Sequence, residues 1–212
     1  NSDYAVTLSS LPDLKSYPIS SDNTQITLDS TSKEITYGDS ITLKASVTSD
    51  TPQTVTWKSS NTAVATVKDG VVTATGKGTA KITASLPNGR SAVCTVKVTT
   101  KKLPTSGCSY ASTAQYTGSA IIPTVTVKDG SKVLRQNIDY RVIVTNNVKI
   151  GHANITISGM GNYYGSYSAG FDIIPAKQTI QKLETRYKGF FVDWAQKGSA
   201  TGYDIQYSTS AN

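Results

Sequence analysis

The chain contains one histidine, two cysteines and one methionine in 212 residues, and only 17% of it is charged. One histidine, His152, cannot supply a zinc site, and no paired-cysteine motif makes up the missing ligands. His152 follows Gly151 at the opening of a strand and reads as a solvated strand residue. A nucleophilic Cys–His pair would need Cys94 or Cys108 beside it, but Cys94 alternates in phase with Val96 and Val98 and faces a core of its own. Acidic residues are too few to place a glycosidase pair: Asp69 and Asp129 are explained by turns, Asp139 and Asp193 by strand patterns. Gly76-Lys77-Gly78-Thr79 lacks the spacing of a phosphate loop and precedes a strand, as does Gly159-x-Gly161-x-x-x-Gly165 for dinucleotide binding. Lys101 and Lys102 occupy the first junction, where calcium would need massed carboxylates. No catalytic residue, cofactor or metal site is therefore expected. No run is apolar for long enough to span a bilayer and no secretory signal is present. No long window has helical periodicity, which leaves an all-β array.

What is plentiful is Thr, Ser, Val, Ile and Tyr, a β-rich composition. The formal charge is +7. Such a balance favours anionic surfaces such as cell-wall polymers, acidic glycans or nucleic acid. The lysines are scattered along outward strand positions, however, and a solvated sheet face is the plainer reading. No nucleic-acid partner is expected.

The chain is organised around Val55 to Ala84, which reads as four short strands. Asp69-Gly70 lies between two apolar runs and signals a type I′ hairpin, which needs positive φ at both central residues. Ala80, Ile82, Ala84 and Leu86 alternate with Lys81, Thr83 and Ser85, giving one dry and one wet face. Trp57 falls on the apolar face of its strand. The linked motifs are Trp57-x-Ser59-Ser60-Asn61, Val64-Ala65-x-Val67, Gly70-x-Val72-Thr73-Ala74, Gly76-x-Gly78-Thr79-Ala80 and Ile82-Thr83-Ala84. Together, over residues 25–98, they resemble the bacterial immunoglobulin-like group 2 family, the invasin and intimin type of module. The resemblance implies tandem small Ig-like β-sandwich domains.

Residues 1–23 read as a short strand and linker, fitting the end of a preceding module. The first sandwich spans 24–100; Ile41, Leu43, Ala45 and Val47 predict one half-buried strand, and Asn88-Gly89 a second primed turn. Leu103-Pro104-Thr105-Ser106-Gly107 resembles a degenerate sortase signal, with serine in place of threonine and no apolar tail, and reads as a linker. A second all-β domain spans 104–174 and resembles the glycine-rich repeats found beside group 2 modules in clostridial surface proteins. Residues 177–212 resemble the first half of a fibronectin type III domain, with Gly189 to Trp194 as its second strand and Gly202 to Ser208 as its third. The chain starts and ends abruptly, as a piece of a longer protein does. An uncovered half-domain should pack on domain two or on another chain, so self-association is expected through it. Cys94 and Cys108 are expected to be free and buried.

The exposed constellation to watch is Asn162, Tyr163, Tyr164 and Tyr167. Tyrosines with amide and hydroxyl groups on a loop can stack on sugar rings and bond their hydroxyls. Tyr163 can instead pack on the core while the others shield a sheet end, the commoner use of tyrosine in β-sheets. The resemblance implies non-catalytic stalk or adhesion modules, extracellular, secreted or attached to the wall of a Gram-positive bacterium, meeting a protein or glycan of a host or cell-wall surface. The alternative is a set of carbohydrate-binding modules accessory to a secreted glycoside or cell-wall hydrolase.

Overall fold

The computed structural model describes residues 23–175 and 180–195. The calls on residues 1–22 and on the strand from Gly202 to Ser208 lie outside the described residues. The described residues are all-β, without a helix. They divide into two compact units between Val98 and Thr99.

The strands of the first unit are β1 (Gln25–Leu28), β2 (Ser32–Thr36), β3 (Ser40–Thr42), β4 (Ala45–Thr48) and β5 (Thr56–Ser59). They are followed by β6 (Ala65–Lys68), β7 (Val71–Ala74), β8 (Gly78–Ser85) and β9 (Ser91–Thr99). A four-stranded sheet in the order β2-β9-β8-β5 faces a three-stranded sheet β3-β7-β6, and β1 pairs with β4. Both larger sheets feed one core: Ile35, Ala80, Ile82, Cys94, Val96 and Val98 from the first meet Ala65, Val72 and Ala74 from the second. Alternate residues of β8 and β9 are buried because a pleated strand sends successive side chains to opposite faces. Trp57 packs against this core and also against the smaller cluster of Ile26, Ala84 and Leu86, tying the β1–β4 pair to the sandwich.

Asp69 (φ 50°) and Gly70 (φ 81°) close the β6–β7 hairpin with both central residues left-handed, the type I′ geometry expected. The Asn88-Gly89 turn differs from expectation. Gly89 N–H donates to the Leu86 carbonyl and Leu86 N–H to that of Arg90, so the loop has three residues, and of them only Gly89 has positive φ. Pro87 explains the change: it has no N–H to close a two-residue Asn88-Gly89 loop onto Arg90, while its fixed φ suits the first central position of a type I turn.

The strand expected across Ile41 to Val47 is broken in two. β3 pairs with β7, whereas β4 pairs with β1. Between them Leu43 N–H donates to the Gly70 carbonyl at 2.9 Å. Lys44 N–H donates to Asp29 Oδ1 at 3.1 Å. The chain thus crosses from one sheet to the other without losing its apolar alternation.

The second unit has β10 (Lys101–Lys102), β11 (Cys108–Ser109), β12 (Thr113–Gln115), β13 (Thr126–Asp129), β14 (Lys132–Val133) and β15 (Tyr140–Thr145). Then come β16 (Gly151–Gly159), β17 (Tyr163–Tyr164), β18 (Ser166–Ile174), β19 (Ile180–Arg186) and β20 (Gly189–Trp194). Its sheets are β12-β18-β16-β15, β11-β13-β14, the parallel pair β10-β17 and the hairpin β19-β20. Ala153, Ile155 and Ile157 lie opposite Phe171, Ala169 and Tyr167 and form the buried face of the largest sheet. Tyr140 Oη donates to the Val125 carbonyl at 2.8 Å, pinning the start of β15 to the segment that leads into β13.

The segment read as a linker after the first domain is built into this unit. Leu103 is buried, and its N–H donates to the Tyr164 carbonyl. Both cysteines are free; Cys94 is buried in the first core, while Cys108 is only half-buried. In the hairpin, Leu183 faces Val192 and Ile180 faces Trp194, with Leu183 63% and Ile180 55% exposed. The strand expected at Gly189 to Trp194 is β20.

Candidate functional site

The four residues singled out in sequence lie on and beside β17. The chain turns out of β16 at Gly159, whose N–H donates to the Gly165 carbonyl, and Tyr163 N–H closes the intervening turn onto Met160 O. Lys101 N–H donates to Asn162 O and Leu103 N–H to Tyr164 O, so β10 and β17 run side by side.

This frame splits the tyrosines. Tyr163 is buried, and its hydroxyl donates to Asp129 Oδ2 at 3.0 Å. Tyr164 is 53% exposed. Tyr167 lies in β18 opposite Ile157 and points into the sandwich. Its Oη is buried without a hydrogen-bond partner of good geometry. Burial pushes the Tyr167 phenol far up, and the neighbouring Cys108 thiol adds to the shift. Asn162 is half-buried. Of the four, Tyr164 is the side chain set fully before solvent.

What the fold assembles here, unforeseen from sequence, is a charged knot around Asp129. Lys101 Nζ contacts both Asp129 oxygens at 2.8 Å. Lys132 Nζ stands 5.9 Å over the Tyr163 ring. Burial by itself would raise the Asp129 carboxyl, but hydrogen bonds from Lys101 and Tyr163 and the charges of Lys101 and Lys132 outweigh it. They hold the group below its ordinary value. A carboxylate so stabilised is a poor proton donor at neutral pH, which makes the knot a structural tie between β10, β13 and β17.

The sign of its pH dependence follows. A folded-state pKa below the unfolded one adds stability that is present above about pH 4 and lost as pH falls through the folded value. Asp129→Asn is expected to cost about 1.5–3 kcal/mol at neutral pH, the range for a hydrogen bond to a charged group. Urea unfolding at neutral and at strongly acidic pH checks this: the gap between wild type and variant should close in acid. A constant gap would mean that Asp129 is not held as an anion.

Elsewhere, the β15–β16 connection lines a groove of about 480 Å³ with Asn146, Asn147, Val148, Lys149, Ile150 and His152. His152 Nδ1 lies 2.8 Å from Asp172 Oδ1, and both side chains are mostly exposed. Asp139 is buried and accepts the Arg135 N–H at 2.9 Å, closing its own turn. Among the described residues, no three His, Cys, Asp or Glu side chains converge to hold a metal ion.

Comparison with known proteins adds the following. A 51-residue stretch is 57% identical to lacto-N-biosidase of Bifidobacterium bifidum, and covers 24% of this chain and 5% of that protein. The chain thus spans about a twentieth of the length of that relative. Among solved structures, the adhesin InvE of Yersinia pseudotuberculosis is similar over 76% of this chain and 66% of its own, at 14% identity and a TM-score of 0.34. A titin tandem of Ig domains is similar over 73% of this chain and 95% of its own, at 13% identity and a TM-score of 0.29. The model of the bacterial Ig-like domain (group 2) matches residues 22–96, the span that the first sandwich occupies. Residues 22–96 are a bacterial Ig-like domain of group 2.

Proposed function

We propose that this chain supplies non-catalytic extracellular modules of a bacterial cell-surface or secreted protein, which space or present a binding region. The observation that carries the reading is the group 2 Ig-like domain at 22–96, a kind of domain typical of bacterial surface and secreted proteins. The long ladders support it physically. The β8–β9 pair alone joins eight residues on each strand, from Gly78↔Val98 to Ser85↔Ser91. A module zipped along its length by backbone hydrogen bonds suits a stalk.

A second reading has a specific observation in its favour. The identity shared with a lacto-N-biosidase segment fits modules accessory to a secreted glycosidase. Of the four loop residues only Tyr164 is exposed and could stack on a sugar ring, with half-buried Asn162 beside it and Tyr163 and Tyr167 supporting it from within. In either case the partner is a protein or glycan of a host or wall surface. The β19–β20 segment, with Leu183 and Ile180 exposed, is where we place self-association.

A neutral-glycan array probed with the intact chain separates the readings. The spacer reading expects no binding above background. Binding that falls about tenfold in Tyr164→Ala, roughly the loss of one stacking contact, favours the accessory module instead. Light scattering tests the self-association: a strict monomer at every concentration sinks it.

A further inference from the structure

Lysines that look scattered in sequence are brought into line by strand register. Lys58 on β5 lies opposite Thr83 of β8. Lys81 on β8 lies opposite Thr95 of β9, and Lys97 on β9 opposite Thr79. Each step from one lysine to the next therefore moves one strand across and two residues along. The three sit on one straight diagonal. With strands about 4.8 Å apart and a rise of about 3.4 Å per residue, successive Cα atoms are about 8 Å apart and the row is about 17 Å long.

All three side chains are exposed, on the face opposite the core. Their strand neighbours Trp57, Ala80, Ile82, Val96 and Val98 pack inward. The only carboxylate in the four strands of this sheet is Glu34, which meets Lys97 at 2.9 Å at one end of the row. Among the described residues, Lys58 and Lys81 have no carboxylate partner. Thr83, Thr95 and Thr79 lie directly across the ladder from Lys58, Lys81 and Lys97, so each lysine of the row has a hydroxyl-bearing neighbour on the same face. The one aromatic residue in these strands, Trp57, faces the core.

We propose that this outer face binds an extended linear polyanion of the phosphodiester-linked polyol class. The row is straight and the face is a sheet, which suits an extended chain and not a compact ligand. Ammonium groups act as point charges for phosphate, and the threonines beside them can donate to its oxygens. Single-stranded nucleic acid is held by stacking bases on aromatic side chains as well as by charge, and this face has no outward ring. The inference rests on register alone, so it stands or falls separately from the spacer reading.

The test is fluorescence anisotropy with the intact chain and labelled poly(glycerol phosphate) at about 50 mM salt, where such contacts are strong. The triple variant K58Q/K81Q/K97Q should bind at least about tenfold more weakly, with the salt dependence of log Kd falling from a slope of about 2, for three phosphate contacts, towards zero. The variant K44Q/K68Q/K128Q removes the same charge from exposed positions off the row and should bind as wild type does. Equal losses in the two variants would reduce the effect to net charge and overturn the proposal. So would an absence of binding by wild type. Tighter binding to single-stranded DNA or to a carboxylated polysaccharide would overturn the assigned class.

Discussion

Phe171→Ala is expected to destabilise the second unit by about 3–5 kcal/mol, the range for deleting a buried ring. Phe171 is 1% exposed and lies opposite Ala153 on the buried face of β16 and β18. The small partner matters. Ala153 leaves the space above it to the ring, so truncation opens a cavity that a methyl group across the strand cannot fill. Neighbouring positions are held by continuous pairing from Gly151↔Ile173 to Ser158↔Ser166, which limits collapse into the void. Against a typical domain stability of about 5–15 kcal/mol, the loss is a large fraction of the total. The matched control is Ile174→Ala, on the same strand, 42% exposed and facing outward, where a change within about 0.5 kcal/mol is expected. Urea midpoints of the two variants decide the matter: similar shifts would show that the site of Phe171 relaxes as freely as the surface does.

The place of Phe171 is legible in the sequence, because Phe171 and Ile173 alternate with Asp172 and period-2 patterning is a local rule. The same holds for Asp69-Gly70, where the turn type is dictated by two residues, and for Trp57 on the apolar face of its strand. What sequence did not reveal depends on partners distant in the chain. The break between β3 and β4 leaves the alternation of Ile41, Leu43, Ala45 and Val47 intact, so nothing local marks it; it is set by Gly70 and Asp29. Asp129 looked fully explained by its turn, but Lys101 and Tyr163 reach it from 28 and 34 residues away. Tyr163 and Tyr164 differ in burial because β17 is two residues long and sends them to opposite sides. The lysine row on β5, β8 and β9 is invisible without the register. Candidate sites on a sheet are properties of pairing, and pairing is where single-sequence reasoning is weakest.

Gly70→Ala is the second large effect, and it probes the point at which the first sandwich is joined. Gly70 has φ 81° and is buried beneath Trp57. A Cβ placed there would lie 2.6 Å from the Leu43 carbonyl oxygen and 3.2 Å from Trp57 Cζ2. Two costs combine. Left-handed backbone costs an alanine about 1–2 kcal/mol, and forcing an atom into a packed site costs about 1–3 kcal/mol more. The expected loss is therefore about 2–5 kcal/mol. The obstacle is backbone, so it cannot swing aside as a side chain would. Leu43 is the residue through which the chain crosses from β3 to β4, and its N–H is already committed to the Gly70 carbonyl. Gly89→Ala separates the two terms: φ there is 86°, but no heavy atom lies within 4 Å of the added carbon. It should lose only the backbone part, about 1–2 kcal/mol. Denaturant unfolding of both variants in a Trp194→Phe background, where Trp57 is the remaining tryptophan and reports on the first unit, gives the difference directly. If Gly89→Ala proves as costly as Gly70→Ala, the close approach of Gly70 to the Leu43 carbonyl is not what limits this position, and the crossing strand has room to shift.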